Sequence, residues 1–200
     1  MLASSRDITT LKIAVVSPSL GKMQSKTVEC LLRNLQGLTF VPFLSHGLPI
    51  PDCFNEPLER ALAIKPDYVW FVEDDMYFPY DTLRRMIDSD EYIISIDYTD
   101  KNNDWGRSFT KYDRDGNVVL TGMGCMLVKR EVFNDLGKPY LRQCLMENGE
   151  MKFIGPRPNA YGTQDVYFCY SLRQAGYDIA MLDSHVGHIS PTGIIRYIAL

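Results

Sequence analysis

The stretch YVWFVEDDMYF, residues 68–78, joins five apolar residues directly to three acids. Tyr68 to Val72 shows no polar alternation, the mark of a strand buried on both faces of a sheet. Glu73, Asp74 and Asp75 follow without an intervening turn. In open α/β sheets, ligands bind beyond the carboxyl ends of the strands. Three adjacent carboxylates repel one another unless a cation or hydrogen bonds compensate. Hard divalent ions such as Mg²⁺ or Mn²⁺ take oxygen ligands, often one or two carboxylates plus substrate phosphates. A merely solvated acidic turn needs neither the buried strand before it nor the aromatic residues after it.

Outward from this segment the chain alternates strand and helix signals. Leu11 to Val16 reads as a buried strand broken at Ser17 and Pro18. Val28, Leu31, Leu32 and Leu35 fit helical spacing over 25–35, with Gly37 as a stop. TFVPFL, 39–44, is a strand whose Pro42 suits an edge or a bulge. Leu58, Ala61, Leu62 and Ile64 line a second helix that must stop near Pro66. Leu83, Met86 and Ile87 form the inward face of a third, with Pro79 near its start. YIISIDY, 92–98, is another strand, and 99–117 is a polar loop or exposed hairpin. Val118–Leu120 and Met126–Val128 are short strands around TGMGC. Residues 144–163 lack a clear period, as functional or mobile loops do. QDVYFCYSLRQAG, 164–176, is a helix with Gly176 as its C′ residue and Phe168, Cys169, Leu172 and Ala175 as its inward stripe. IAML, 179–182, is the last strand. This alternation predicts an α/β fold with a mostly parallel central sheet flanked by helices.

The 200 residues suit one domain over 1–200, with 1–10 a flexible N-terminus and 189–200 a C-terminal tail. Hydrophobic residues at 46% and charged residues at 23% exclude disorder as the global description. No apolar run approaches the length of a membrane span, and MLASSRDITT lacks the apolar region of a secretory signal. A net charge of −4 argues against nucleic-acid binding by bulk electrostatics. The five cysteines are scattered and form no CxxC, so reduced thiols and a cytoplasmic location are expected.

Three further residues invite a chemical reading. Asp165 lies three and four residues before Phe168 and Cys169, so its carboxylate shares the inward stripe. A first-turn acid that favours the helix dipole is the plainer alternative. His188 follows the last strand near the same sheet edge as the acids, with His185 as the alternative ligand. Trp105, in the polar stretch KNNDWGRSF, offers an aromatic face to a sugar or base, or packs on its own hairpin.

Taken in order, the strand with EDD, then GMGCMLVKREVF (122–133), GTQDVYFCYSLRQAGYDI (162–179) and VGHI (186–189) resemble GT-A-fold glycosyltransferases of the family-two type. NEPLERALAIKPDYVWFVEDDMYFPYDTLRRMI, 55–87, looks like that family's helix–strand–DxD–helix block. The resemblance implies a Rossmann-like GT-A domain that moves a sugar from a nucleoside-diphosphate sugar, UDP preferred, to a glycan or other hydroxyl acceptor. It implies that Asp75 and His188 ligate Mn²⁺ or Mg²⁺, that Glu73 faces the ribose or a metal-bound water, and that Asp74 lies in the donor site. Ser17 and Pro18 match the place where the family holds nucleobase and ribose, and Asn55 matches the Asn of an Arg-Asn pair. Gly122, Met123 and Gly124 match the segment lining the acceptor side, where Trp105 is also placed. Asp165 matches the catalytic base of inverting members. Three positions depart from the family pattern: Glu73 for the first Asp of DxD, Gln164 for the Glu before the base, and Phe54 where relatives often carry Arg.

Other classes make distinct demands. A haloacid-dehalogenase-like phosphatase needs an Asp nucleophile where Glu73 stands. A nucleotidyltransferase of the same broad fold normally shows a Gly-rich, basic phosphate loop after the first strand, and SPSLGK has one Gly and one Lys. A nucleotide-sugar-binding module without turnover would keep the ligands and lose the chemistry.

Overall fold

The computed structural model describes residues 7–19, 21–99, 108–147, 150–153, 163–190 and 192–197. Trp105, most of the 154–163 part of the long loop, and the two ends of the chain therefore lie outside the described residues. In chain order the elements are β1 (Lys12–Ser17), α1 (Ser25–Asn34), β2 (Thr39–Leu44), α2 (Asp52–Ala63), β3 (Tyr68–Val72), β4 (Met76–Tyr77), α3 (Thr82–Asp88) and β5 (Ile93–Ser95). There follow β6 (Lys111–Tyr112), β7 (Val118–Leu120), β8 (Cys125–Lys129), α4 (Val132–Asp135), β9 (Cys144–Glu147), β10 (Glu150–Phe153), α5 (Thr163–Gln174), β11 (Ala180–Met181), β12 (Gly187–Ile189) and β13 (Ile195–Arg196).

The central sheet has the order β11-β5-β8-β3-β1-β2. Strands β2, β1, β3, β5 and β11 share one direction, and β8 alone runs against them, between β3 and β5. The sheet is mixed and mainly parallel. The reversal at β8 is the feature that apolar runs cannot reveal, because a buried strand has the same composition in either direction. Pro42 sits on β2, at the sheet's edge, opposite Val15. There its missing amide costs no ladder bond on the open side.

Alternation along the strands feeds two cores. Ala14, Val16, Val69, Phe71, Met126 and Val128 face α2, α4 and α5. Ile13, Val15, Trp70, Val72, Cys125 and Leu127 face α1 and α3. All five residues of β3 are buried, as the unbroken apolar run requires.

Helix α1 packs differently from its apolar spacing. Leu32 is 60% exposed and Val28 is also exposed, while Thr27, Cys30, Leu31 and Asn34 are buried. A polar residue takes the inward position because its hydrogen bonds are met there. The Asn34 amide donates to the Cys30 and Pro79 carbonyls at 3.0 and 2.8 Å, and its oxygen accepts from the Leu83 amide at 2.8 Å. Leu83 lies in the first turn of α3, where backbone N–H groups lack intrahelical partners. Asn34 thus caps α3 from another helix. Asn34→Ala is expected to cost about 1–3 kcal/mol, since it leaves a buried donor unsatisfied; urea unfolding of the two proteins measures the loss.

All five cysteines are buried and none is in a disulfide. Burial pushes the thiols of Cys53, Cys125 and Cys169 up to about 12. Thiolate is the reactive form, so these three should resist iodoacetamide at pH 8 in the native protein and react once it is unfolded. Mass spectrometry of the labelled sites reads the outcome.

Among the described residues after the last central strand, Gly187–Ile189 and Ile195–Arg196 form strands, β12 and β13, so part of the stretch expected as a C-terminal tail is paired. Strands β13, β12 and β4 form a small antiparallel sheet, with His188 opposite both Met76 and Arg196. His188 is therefore a strand residue, and its strand is hydrogen-bonded to the two residues that follow the acids.

Candidate active site

The three acids leave the carboxyl end of β3 on a backbone held from three sides. The Glu73 amide donates to the Gly124 carbonyl at 3.1 Å, continuing the β3–β8 ladder by one residue. The Asp74 carbonyl accepts from the Gln24 amide at 2.8 Å, just before α1. The Asp75 carbonyl accepts from the Ile189 amide at 2.7 Å, on β12. This is a positioned segment, and each of its acids is only partly exposed.

The small sheet brings the histidine to the acids. His188 is buried, and its Nδ1 lies 2.5 Å from the Thr99 carbonyl oxygen. A carbonyl can only accept, so Nδ1 carries a proton, and a neutral ring held this way has its lone pair on Nε2. Nε2 stands 3.8 Å from Glu73 Oε2 and has no hydrogen-bond partner among the described residues. Glu73, Asp75 and His188 each offer a ligand atom, and these atoms lie within 4.8 Å of one another. A buried imidazole nitrogen grouped with two carboxylates is a donor set that fits a divalent cation of the Mg²⁺ or Mn²⁺ type. His185 is exposed.

Helix α5 delivers Asp165. Phe168 packs edge-on against Phe71 of β3, ring centroids 5.9 Å apart, which turns this face of the helix inward. Asp165, one turn earlier, is 4% exposed, and Gln164 beside it is equally buried. The Gln164 amide nitrogen lies 3.5 Å from Asp165 Oδ2. The inward stripe ends at Leu172, because Ala175 is exposed. Gly176, at φ 84°, then closes the helix: its amide donates to Arg173 and the Tyr177 amide to Leu172, a Schellman ending. Cys169 ties α5 to the glycine segment, its Sγ accepting from the Thr121 amide and donating to the Thr121 carbonyl, both at 3.4 Å.

Between these parts stands Tyr98, which sequence reasoning missed. Its phenol oxygen accepts the Gly124 amide at 2.8 Å. Its ring meets the His188 ring edge-on at 4.9 Å. Burial, with the carboxylates of Glu73 and Asp165 adding to it, holds the phenol well above its ordinary pKa. One buried tyrosine therefore feels both the acid cluster and the acid on α5. Gly122 and Gly124 leave room for it: a Cβ on Gly122 would fall 1.8 Å from the phenol oxygen, and one on Gly124 2.9 Å. Met123, between them, is fully buried. The only sequence signal for Tyr98 is its place just past a strand's carboxyl end, which aromatic residues often occupy without function.

The other expected residues divide. Ser17 and Pro18 are buried at the end of β1, and the β1–β3 register puts Ser17 one row before Glu73. The Ser17 hydroxyl is buried without a hydrogen-bond partner among the described residues. Asn55 is engaged elsewhere: its amide donates to the Leu141 carbonyl and accepts from the Leu141 amide, each at 3.0 Å. Phe54 is 2% exposed and packs in the core with Leu58 and Phe71. That position serves packing, which is why an apolar residue stands there.

No protein-family model matches the chain, and no curated protein matches its sequence. Solved structures do. A197 from STIV superposes with a TM-score of 0.63 at 16% identity, covering 96% of this chain and 95% of that one. S. aureus TarS 1-349 gives a TM-score of 0.48 at 14% identity, and this chain, 86% covered, spans 58% of it. The inositol-1-phosphate CTP transferase from T. maritima gives 0.47 at 13% identity, covering 92% and 72% of the two chains. At such identities the likeness shows the fold alone, and the two lower scores carry no argument. The fold is α/β with a mainly parallel central sheet and flanking helices, as the alternation of segments predicts, and A197 shares it. No described helix is long and apolar enough to cross a membrane.

Proposed function

We propose that this chain is a metal-dependent glycosyltransferase that uses a nucleoside-diphosphate sugar and inverts the anomeric centre. The observation that carries the reading is the cluster of Glu73, Asp75 and His188 at the carboxyl edge of β3, with the buried carboxylate of Asp165 close enough for both Glu73 and Asp165 to act on Tyr98. Glu73, Asp75 and His188 would hold Mn²⁺ or Mg²⁺, which supplies positive charge beside the donor's diphosphate. Ser17 and Pro18, on the neighbouring strand, border the place for nucleobase and ribose, and Asp74 lies between the two cation ligands in sequence. In the transfer, the acceptor oxygen attacks the anomeric carbon as the bond from that carbon to the phosphate oxygen breaks. The electron pair leaves with the diphosphate, and Asp165 takes the acceptor proton. Gly122, Met123 and Gly124 are assigned to the acceptor side, next to the Tyr98 ring that fills the room the two glycines leave. Trp105 is assigned there as a stacking platform for sugar. Asn55, whose side chain bonds the Leu141 backbone, is assigned to the donor side.

The test is a panel of nucleotide sugars, UDP-sugars first, incubated with Mn²⁺ and scored for release of nucleoside diphosphate. A parallel arm offers sugar 1-phosphates with nucleoside triphosphates and scores pyrophosphate. Nucleoside diphosphate release with product of inverted configuration supports the reading. Pyrophosphate release alone would identify a nucleotidyltransferase, and donor binding without either product a binding module.

A further inference from the structure

The cation ligands lie between β3 and β4 and on β12, and the glycine segment leads into β8, yet one side chain touches both sides of the site. The Tyr98 ring lies edge-on against His188 at 4.9 Å, while its phenol oxygen holds the Gly124 amide at 2.8 Å. The following residue, Thr99, holds His188 from the other end: its carbonyl accepts the hydrogen bond from Nδ1–H, and its hydroxyl donates to the Arg196 carbonyl at 3.3 Å on the neighbouring strand. Phe109 stacks parallel to the Tyr98 ring, planes 3° apart and centroids at 6.4 Å, and the Phe109 amide donates to the Tyr98 carbonyl at 3.2 Å. Tyr98 is thus fixed by backbone and ring on its own account, and does not depend on His188 for its place. An imidazole is free to rotate about χ2 unless packing and hydrogen bonds restrain it. Here a ring edge and a carbonyl restrain it together.

We infer that Tyr98 is a positioning residue: with the Thr99 carbonyl it fixes the tautomer and rotamer of His188 that present Nε2 to Glu73 and Asp75, and through Gly124 it ties that orientation to the acceptor-side segment. The inference rests on the reading of Glu73, Asp75 and His188 as the cation site. Its geometry makes three demands. Removing the phenol oxygen alone must loosen Gly124 and spare His188. Removing the ring must free His188. Pushing the ring from the far side, with a methyl on Gly122 that meets the phenol oxygen at 1.8 Å, must also disturb His188 without altering Tyr98 itself.

The experiment compares wild type, Tyr98→Phe, Tyr98→Leu and Gly122→Ala as full-length proteins without added metal, and then by Mn²⁺ titration. Long-range ¹H–¹⁵N spectra of the imidazole report the His188 tautomer, amide hydrogen exchange reports Gly124, and calorimetry reports Mn²⁺ affinity. Wild type is expected to show the Nδ1–H tautomer. Tyr98→Phe should keep it, with Mn²⁺ affinity within about threefold and Gly124 exchange at least about tenfold faster. Tyr98→Leu and Gly122→Ala should show mixed tautomers and Mn²⁺ affinity at least about tenfold weaker. If Tyr98→Leu does not fold, Gly122→Ala and the Gly124 exchange of Tyr98→Phe decide the matter. A wild-type tautomer and wild-type Mn²⁺ affinity in the folded ring-removed or ring-displaced variant would overturn the inference, as would unchanged Gly124 exchange in Tyr98→Phe. Should wild type itself bind no Mn²⁺, the cation site falls, while the tautomer spectra still decide whether Tyr98 orients His188.

Discussion

Asp165→Asn is expected to lower turnover by about two to four orders of magnitude, the usual contribution of a positioned general base, while leaving donor and Mn²⁺ affinity near wild type. The substitution keeps the size of the side chain and an oxygen acceptor in the first turn of α5, but removes the basicity. Asp165 is 4% exposed and follows the equally buried Gln164, so water is poorly placed to substitute for it. An interaction that matters only as the proton moves should cut kcat and kcat/KM together. Steady-state kinetics and donor binding by calorimetry separate this from a binding defect. Loss of donor affinity with unchanged kcat would assign Asp165 to binding, and near-wild-type turnover would move the base elsewhere. The product of the wild-type reaction should carry the opposite anomeric configuration to the donor, since a single displacement from one face permits no other outcome.

Removal of the cation should be equally severe. Chelation by EDTA is expected to abolish transfer, and added Mn²⁺ to restore it. Asp75→Ala and His188→Ala each delete a direct ligand. Each should therefore weaken Mn²⁺ binding by at least the roughly 10–100-fold that loss of an outer-shell partner costs. Full activity in chelator would refute the metal requirement. Wild-type Mn²⁺ affinity in both variants would place the cation elsewhere.

Much of the architecture was legible because burial writes itself into composition. The five apolar residues of β3 could only be a strand covered on both sides, and three acids without a turn could only emerge at its carboxyl end. The helix of Asp165 was equally clear, from Phe168 and Cys169 at one turn's spacing and from Gly176 at its close. The apolar set Val28, Leu31, Leu32 and Leu35 located α1, and of these Leu31 and Leu35 are buried while Val28 and Leu32 are not. A satisfied Asn34 displaced two aliphatic residues to the surface, and hydrogen-bond satisfaction across fifty residues leaves no local pattern. Asn55 drew attention as the match to a family motif and Phe54 as a departure from it. Their surroundings give them to the backbone of Leu141 and to the core.

What the sequence alone determined is the set of local elements and the chemistry available at their ends: a mainly parallel α/β sheet, carboxylates after β3, a carboxylate at the head of α5, and a histidine near the C-terminus. These follow from periodicity and from residue type, which act over a few residues. Tertiary structure decided which of these groups meet. The reversed strand β8 sets Gly124 beside Glu73. The small sheet of β4, β12 and β13 carries His188 to within 3.8 Å of Glu73 and leaves His185 exposed. Tyr98 fills the space that Gly122 and Gly124 leave. Each of these depends on strand order, and strand order is set by the packing of the whole chain, because hydrogen bonds between strands carry no record in the sequence of which strand lies beside which.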